Sequence, residues 1–258
     1  MQHELWKIPN DWFASWFNTP AYHQLYGPRD QNEANHFVDR LVAEVFPDSL
    51  DGPMLECACG AGRHALRFAQ HGLLVKGMDL AANSIQQAKE MVPDSRVPEN
   101  SLQFFVGDMR VSSDVMRHAP FDVITLLFTS FGYFQTDEEH EQTLSNFFDA
   151  LSSKGMLVLD FLNVDQVRSR LVSHEVVERG TMTFELWRRI HKGWIEKAIR
   201  YEVKGGEEWH HERVRAFHRD DLVRMASRFG FHLHSCFGDY ELGDWNAQSP
   251  RTLLIFEK

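Results

Sequence analysis

Cysteine is scarce in this chain: three in 258 residues, two of which, Cys57 and Cys59, stand almost side by side. That is no disulfide framework, so a reducing compartment, the cytoplasm, is expected. No second Cys/His pair at ligand spacing accompanies Cys57-x-Cys59, so no metal is expected either. Long apolar runs are missing too. Residues 123–128 and 156–162, the longest, are interrupted far short of the ~20 residues that span a bilayer. The opening Met-Gln-His-Glu-Leu-Trp-Lys lacks a basic region followed by an apolar stretch, so no signal peptide is expected. Positive charge is in the minority, 27 Lys and Arg against 37 Asp and Glu, for a formal net charge of −10. The basic groups at Arg168/Arg170, Arg188/Arg189 and Arg213/Arg215 alternate with acids and read as solvated faces. Neither nucleic acid nor a membrane is an expected partner. Internal repeats and low-complexity segments are absent as well.

What is present is enough apolar material, 43% of residues, for one large core, and the whole of 1–258 reads as a single domain. Strand and helix signals alternate from residue 54: strand 54–58, helix 63–71, strand 73–79, helix 82–91, strand 102–106, strand 121–128, helix 137–152 and strand 155–162. Such repetition implies a parallel sheet covered by helices on both faces. Residues 174–218 break the rhythm. They carry strand-like runs at 181–189, 194–203 and 208–216 around Gly-containing turns, and read as an antiparallel β insertion. A helix at 219–229 and strands at 231–237 and 251–257 close the sheet. The histidines at 210, 211, 232 and 234 lie in strand-like segments and are expected at the surface.

Ahead of the sheet, residues 1–35 concentrate Trp6, Trp12, Phe13, Trp16, Phe17, Tyr22 and Tyr26. Trp12/Trp16 and Phe13/Phe17 are i,i+4 pairs, giving a helix around 11–18 an aromatic face, with Pro20 as its stop. This segment reads as a helix docking on the core and as a lid over a ligand, two compatible roles. A second helix, 32–46, follows.

Residues 54–63, Met-Leu-Glu-Cys-Ala-Cys-Gly-Ala-Gly-Arg, read as a buried strand end, a small-residue turn and a helix start. Gly60 and Gly62 give the backbone freedom to approach a ligand, and the helix that follows presents free N–H groups. Glu56 and Asp79 end adjacent strands on either side of that turn. Two such carboxylates suit a nucleoside carrying a ribose diol and an amine. Gly60-x-Gly62-x-x-Ala65 also fits a dinucleotide fingerprint, which keeps an oxidoreductase open as an alternative. A strand-end Asp alone is as often a helix cap, and Gly107-Asp108-Met109 alone is an ordinary turn.

The motifs Glu56-x-Ala58-x-Gly60-x-Gly62, Gly-Met-Asp79-Leu80, Gly107-Asp108-Met109-Arg110 and the 121–134 stretch resemble class I S-adenosylmethionine-dependent methyltransferases, in their bacterial small-molecule subgroup. The resemblance covers at least residues 54–162, with Ala58 where the family usually has its first glycine. It implies a doubly wound, seven-stranded, mostly parallel α/β sheet with an antiparallel last strand, an N-terminal helical lid (1–35) and a β insertion (174–218). It implies S-adenosylmethionine as cofactor and S-adenosylhomocysteine as product, with methyl transfer by in-line displacement to a small molecule. Glu56 would orient the methionine amine, with the backbone of Cys57, Ala58, Cys59, Gly60 and Gly62 around the methionyl and ribose portions. Asp79 would hold the ribose hydroxyls and Leu80 would pack on adenine. Gly107, Asp108 and Met109 would read the adenine edge, and Leu127 and Phe128 would lie under the sulfonium. Tyr22, Tyr26 and Arg29 are the lid contacts. No catalytic residue is singled out; Tyr22, His23, Thr129, Ser130 and Tyr133 are the polar candidates to face an acceptor. The chain is expected to be a monomer or homodimer. A non-catalytic S-adenosylmethionine-binding regulator stays open beside the enzyme.

Overall fold

The computed structural model describes residues 5–27, 31–46, 50, 52–94, 97, 98 and 100–258. Three helices come first: α1 (Trp12–Trp16), α2 (Pro20–Tyr26) and α3 (Gln31–Glu44). Strands and helices then alternate as β1 (Met54–Cys57), α4 (Arg63–Gln70), β2 (Val75–Asp79), α5 (Ala82–Met91) and β3 (Leu102–Val106). The alternation continues through α6 (Ser112–Val115), β4 (Phe121–Leu126), α7 (Asp137–Ala150), β5 (Leu151–Leu162) and α8 (Val164–Arg170). A separate antiparallel sheet follows, made of β6 (His174–Arg179), β7 (Met182–His191), β8 (Trp194–Val203) and β9 (Gly206–Arg215). Finally α9 (Arg219–Ser227), β10 (His232–Phe237) and β11 (Arg251–Glu257) complete the first sheet.

That sheet has seven strands in the order β10-β11-β5-β4-β1-β2-β3. Pairings from β5 across to β3 are parallel, and β11 lies antiparallel between β5 and β10. Successive strand residues point to opposite faces, and the two faces bury different sets. Met54, Val123, Val158 and Ile255 pack with Phe37 and Leu41 of α3, Phe68 of α4 and Ile85 of α5. Leu55, Ile124, Leu157 and Leu254 pack with Leu144 and Phe147 of α7 and Leu222 and Met225 of α9. Each such fully buried Leu, Ile or Phe contributes about 1.5–3 kcal/mol over leaving it exposed. This is the expected doubly wound architecture with its antiparallel last strand. The strand order reverses between β1 and β4, so a crevice opens above their carboxyl ends.

A third apolar cluster joins the N-terminal helices to the four-stranded sheet. Trp12, Phe13 and Trp16 of α1 and Ala21 and Leu25 of α2 pack on Phe184, Leu186, Ile199 and Tyr201. Among the described residues no helix is long and apolar enough to cross a membrane.

Several local expectations change. Pro20 does not only stop a helix; it is the first residue of α2, where its missing N–H costs nothing, and Thr19 caps it by accepting the Tyr22 amide at 3.1 Å. The strand expected from 155 begins at Leu151, so residues 151 and 152 are strand rather than helix end, with Leu151 pairing Phe121 before a register shift. The strand read as 121–128 stops at Leu126, since Phe128 and Thr129 take φ of 58° and 62°. The insertion has four strands, not three, and α8 precedes it. His232 and His234 are exposed as expected, but His210 and His211 are half-buried, with His210 stacked 4.5 Å from Trp16.

Candidate active site

The Gly-rich turn is a chain of left-handed residues: Ala58 at φ 56°, Gly60 at 55° and Gly62 at 82°. At Gly62 a Cβ would come within 2.5 Å of the Phe104 ring, so only glycine lets α4 start this close to β3. At Gly60 a Cβ would meet nothing within 4 Å, and the bare backbone faces the crevice. Asp79 holds this turn in place. Its Oδ2 accepts from the Gly60 amide and its Oδ1 from the Ala81 amide, both at 2.7 Å. Burial raises the Asp79 carboxyl pKa, with the Glu56 carboxylate adding to it, while the backbone N–H bonds pull the other way.

Glu56 is buried at the tip of β1, 1% exposed, and its Oε1 lies 3.2 Å from His64 Nδ1 on α4. Both thiols of the turn are buried, which raises their pKa with help from the neighbouring carboxylates. They stay protonated, and small volume is what they supply. Asp108 is engaged by Arg110, which reaches it through Nη2 at 2.7 Å and also holds Glu139 at 2.8 Å. Burial pulls Asp108 upward, but the Arg110 hydrogen bonds outweigh it and leave the carboxyl below its usual range. The Met109 carbonyl accepts from Asn146 at 3.0 Å. Leu80 stays 39% exposed beside Asp79, an apolar surface open to a flat ligand.

These groups border one cavity of about 700 Å³. Its lining takes in Glu56, Cys57, Ala58, Cys59, Gly60, Asp79, Leu80, Gly107, Asp108, Met109, Leu127 and Phe128 at one end. Tyr22, His23, Tyr26, Thr129, Ser130 and Tyr133 line it further out. Gly62 is not in the lining, and Arg29 lies outside the described residues. Two of the hydroxyls are engaged: Thr129 Oγ1 accepts from Arg251 at 2.9 Å and Ser130 Oγ donates to the Leu127 carbonyl at 2.7 Å.

The structure adds residues that sequence reasoning did not single out. His64 partners Glu56. From the four-stranded sheet, Lys197 and Glu212 reach the same cavity; they are direct cross-strand partners. The Tyr26 hydroxyl lies 2.6 and 2.7 Å from the two Glu212 oxygens, Lys197 Nζ donates to that hydroxyl at 2.5 Å, and Trp16 Nε1 donates to Glu212 at 2.8 Å. An opposite-charge pair across two strands is an ordinary sheet contact. Only the docking of that sheet over the crevice turns it inward.

A family described as Methyltransferase domain matches residues 54–155. The glycine/sarcosine N-methyltransferase of Halorhodospira halochloris is 30% identical over 233 residues, covering 89% of this chain and 82% of that protein. An S-adenosylmethionine-dependent methyltransferase from Clostridium acetobutylicum superposes with a TM-score of 0.75 at 12% identity, over 91% of this chain and 94% of the other. S-adenosylmethionine-bound CalS10, an amino pentose methyltransferase from Micromonospora echinaspora, gives 0.67 at 21% identity, over 93% and 97%. Identities that low define the fold alone; the Halorhodospira relative carries the relationship in sequence. The chain belongs to the class I S-adenosylmethionine-dependent methyltransferase family.

The residues present fit that cofactor. Glu56 Oε2 is buried at the cavity with no partner among the described residues. A buried carboxylate oxygen demands a donor, which the ammonium of a methionyl group provides. Bare backbone at Gly60 and the exposed Leu80 face suit its ribose and adenine.

Proposed function

We propose that this methyltransferase transfers methyl groups to the nitrogen of a small polar amine, and that the cleft holds donor and acceptor end to end. The observation that carries this reading is the continuity of the cavity, from the Gly-rich turn to the Tyr26, Lys197 and Glu212 cluster. At the inner end Glu56, the 57–60 backbone, Asp79, Leu80, Asp108, Met109, Leu127 and Phe128 would hold S-adenosylmethionine. That cofactor supplies a methyl group already activated by its sulfonium, so the chain has to align the acceptor, exclude water and take up one proton. The N-terminal helices and the inserted sheet would serve as the roof over both ends, acting with the seven-stranded sheet as one domain.

The Halorhodospira relative supports nitrogen as the acceptor atom, since it is named as an N-methyltransferase of glycine and sarcosine. The roof chemistry supports a polar acceptor. Lys197 and Glu212 sit 3.5 Å apart with side chains 12% and 17% exposed, so one small molecule bearing both an anionic and a cationic group would meet both charges. His23 is the group best suited to take the proton. Burial lowers its pKa, leaving a neutral imidazole near pH 7, and its Nε2 is buried with no partner among the described residues.

The test is transfer from methyl-labelled S-adenosylmethionine to a panel of amino acids, amino sugars and simple alcohols, with products read by mass spectrometry. An N-methylated small amine is the expected product. Label found only on oxygen acceptors, or only on added protein or nucleic acid, would overturn the reading. Lys197→Met should raise the acceptor KM about tenfold and leave S-adenosylhomocysteine affinity alone.

A further inference from the structure

Phe128 and Thr129 leave β4 with φ of 58° and 62°, two successive side-chain-bearing residues in the left-handed region. A β-branched residue there is an outlier, and such conformations persist only where the surroundings enforce them. What holds this one is a single residue, through its side chain and its backbone carbonyl. Asp160, fully buried in β5, accepts the Phe128 amide on Oδ2 at 2.8 Å, while its own carbonyl accepts the Thr129 amide at 3.0 Å. The two successive amides thus end on one residue, the first on its carboxylate and the second on its backbone. The carboxylate is in turn saturated. Tyr240 donates its hydroxyl to Oδ2 at 3.0 Å, and Arg251 reaches Oδ1 through Nε at 2.8 Å and Nη2 at 2.7 Å. The same Nη2 lies 2.9 Å from Thr129 Oγ1.

We propose that Asp160, Arg251 and Tyr240 are positioning residues for methyl transfer: they lock the left-handed turn at Phe128 and Thr129, and through it the wall of the cleft at the donor's reactive end. The Phe128 ring lies 4.2 Å beneath the Arg63 guanidinium, 5.3 Å from the His64 ring and 5.5 Å from the Tyr240 ring. The turn therefore ties β11 and the 237–251 segment to the first turn of α4. A buried ion pair adds little net stability over apolar packing. A purely structural account thus leaves both the pair and the strained backbone without a purpose, whereas an enforced turn at the site uses both. The inference rests on the reading of Phe128 as part of the cofactor end.

The experiment measures S-adenosylhomocysteine affinity by calorimetry for the wild type, Tyr240→Phe, Asp160→Asn, Thr129→Gly and the Tyr240→Phe/Thr129→Gly double variant. Tyr240→Phe keeps the ring and removes one hydrogen bond, and should weaken binding about 5-fold. Asp160→Asn should weaken it about 30-fold or more. Glycine adopts the left-handed conformation without support, so in the Thr129→Gly background Tyr240→Phe should cost less than about 2-fold. Wild-type affinity in Tyr240→Phe, or an undiminished effect of that change beside Thr129→Gly, overturns the positioning role. Tyr240→Phe carries the test even if Asp160→Asn does not fold. The wild type's own affinity, measured alongside, reports on the cofactor end separately.

Discussion

His64 Nδ1 lies 3.2 Å from Glu56 Oε1, joining the first turn of α4 to the tip of β1, and both side chains are buried. The other heteroatom of each, Glu56 Oε2 and His64 Nε2, is buried without a partner among the described residues. One bond thus fixes the orientation of the acid and leaves its second oxygen for a donor in the cleft.

Replacing that acid should therefore damage cofactor binding more than folding. Glu56→Gln keeps the shape and an acceptor but loses the charge, and should weaken S-adenosylhomocysteine binding about tenfold, or 1.4 kcal/mol. His64→Phe keeps the ring volume beside Phe128 and removes the tether; a loss of about threefold is expected. Calorimetry on folded variants checks both. Unaltered affinity in Glu56→Gln would remove the acid from the cofactor site.

Asp79 holds the turn and, in the proposed reading, would hold the ribose as well. Its two oxygens hold the Gly60 and Ala81 amides, and each keeps a lone pair available to a ribose hydroxyl. Asp79→Ala should weaken S-adenosylhomocysteine binding about 10- to 100-fold. It should also lower the melting temperature, because two backbone donors lose their acceptor at roughly 1–3 kcal/mol each when buried. A variant that melts early but binds the ligand normally would assign the residue to the turn alone.

Acid should destabilise the chain through His140. This residue is fully buried, donating from Nδ1 to the Thr136 carbonyl at 2.7 Å and accepting the Phe134 amide on Nε2 at 3.3 Å. Burial among Phe131, Phe134 and Phe217 lowers its pKa to about 4 from an ordinary 6.5. The unfolded chain binds this proton first, so the stabilisation is complete above about pH 6.5 and is lost as pH falls toward 4. By linkage it amounts to roughly 3 kcal/mol. His140→Gln, neutral at every pH, should melt lower at pH 7.5 and show a shallower decline between pH 7 and 4.5. Parallel pH–melting profiles for the two proteins would exclude His140 as the source.

The proton acceptor has its own pH signature. If His23 takes the proton, methyl transfer should rise with pH through a pKa below 6.5 and stay flat above it, since burial lowers that group. His23→Gln should reduce kcat about 100-fold and flatten the acid limb, with donor affinity unchanged. A retained acid limb in the variant would place the titrating group elsewhere.

The seven-stranded sheet and the order of Glu56, Asp79 and Asp108 at its strand tips were legible because both follow from local pattern. Strands buried on two faces announce themselves as apolar runs, and each tip residue lies at or just beyond the end of its strand, Glu56 and Asp79 within β1 and β2 and Asp108 two residues past β3. Contacts between distant segments left no such trace. Asp160 meets Tyr240 and Arg251 across 80 and 91 residues, respectively, and no spacing rule connects them. The run through Phe128 looked like strand, since nothing in Phe-Thr-Ser announces a left-handed turn held by Asp160, 32 residues beyond Phe128. Lys197 and Glu212 belong to no motif, and only the docking of the inserted sheet aims them into the cleft. Arg110 gave no warning that it would occupy Asp108.

The N-terminal segment should divide into a fixed part and a ligand-responsive part. In α1, Trp16 is fully buried and Trp12 nearly so, and Trp16 stacks on His210 while its indole N–H meets Glu212. That is core packing on the inserted sheet. The helix α2 differs. Trp12 and Phe13 of α1 also border the cavity but are buried, whereas Tyr22, His23 and Tyr26 of α2 line it half-buried, where a bound sulfonium would gain roughly 0.5–2 kcal/mol from facing aromatic rings. Because α1 is held by its packing on the inserted sheet, a bound ligand should add protection chiefly to α2. Hydrogen exchange should therefore show α1 equally protected with and without S-adenosylhomocysteine, while Pro20–Tyr26 and the 56–62 turn slow on binding. Slowing in α1 as well would mean that the whole segment closes as a lid. Unchanged exchange in both helices, with clear protection of the turn, would make the roof permanent and leave α2 no part in holding the cofactor.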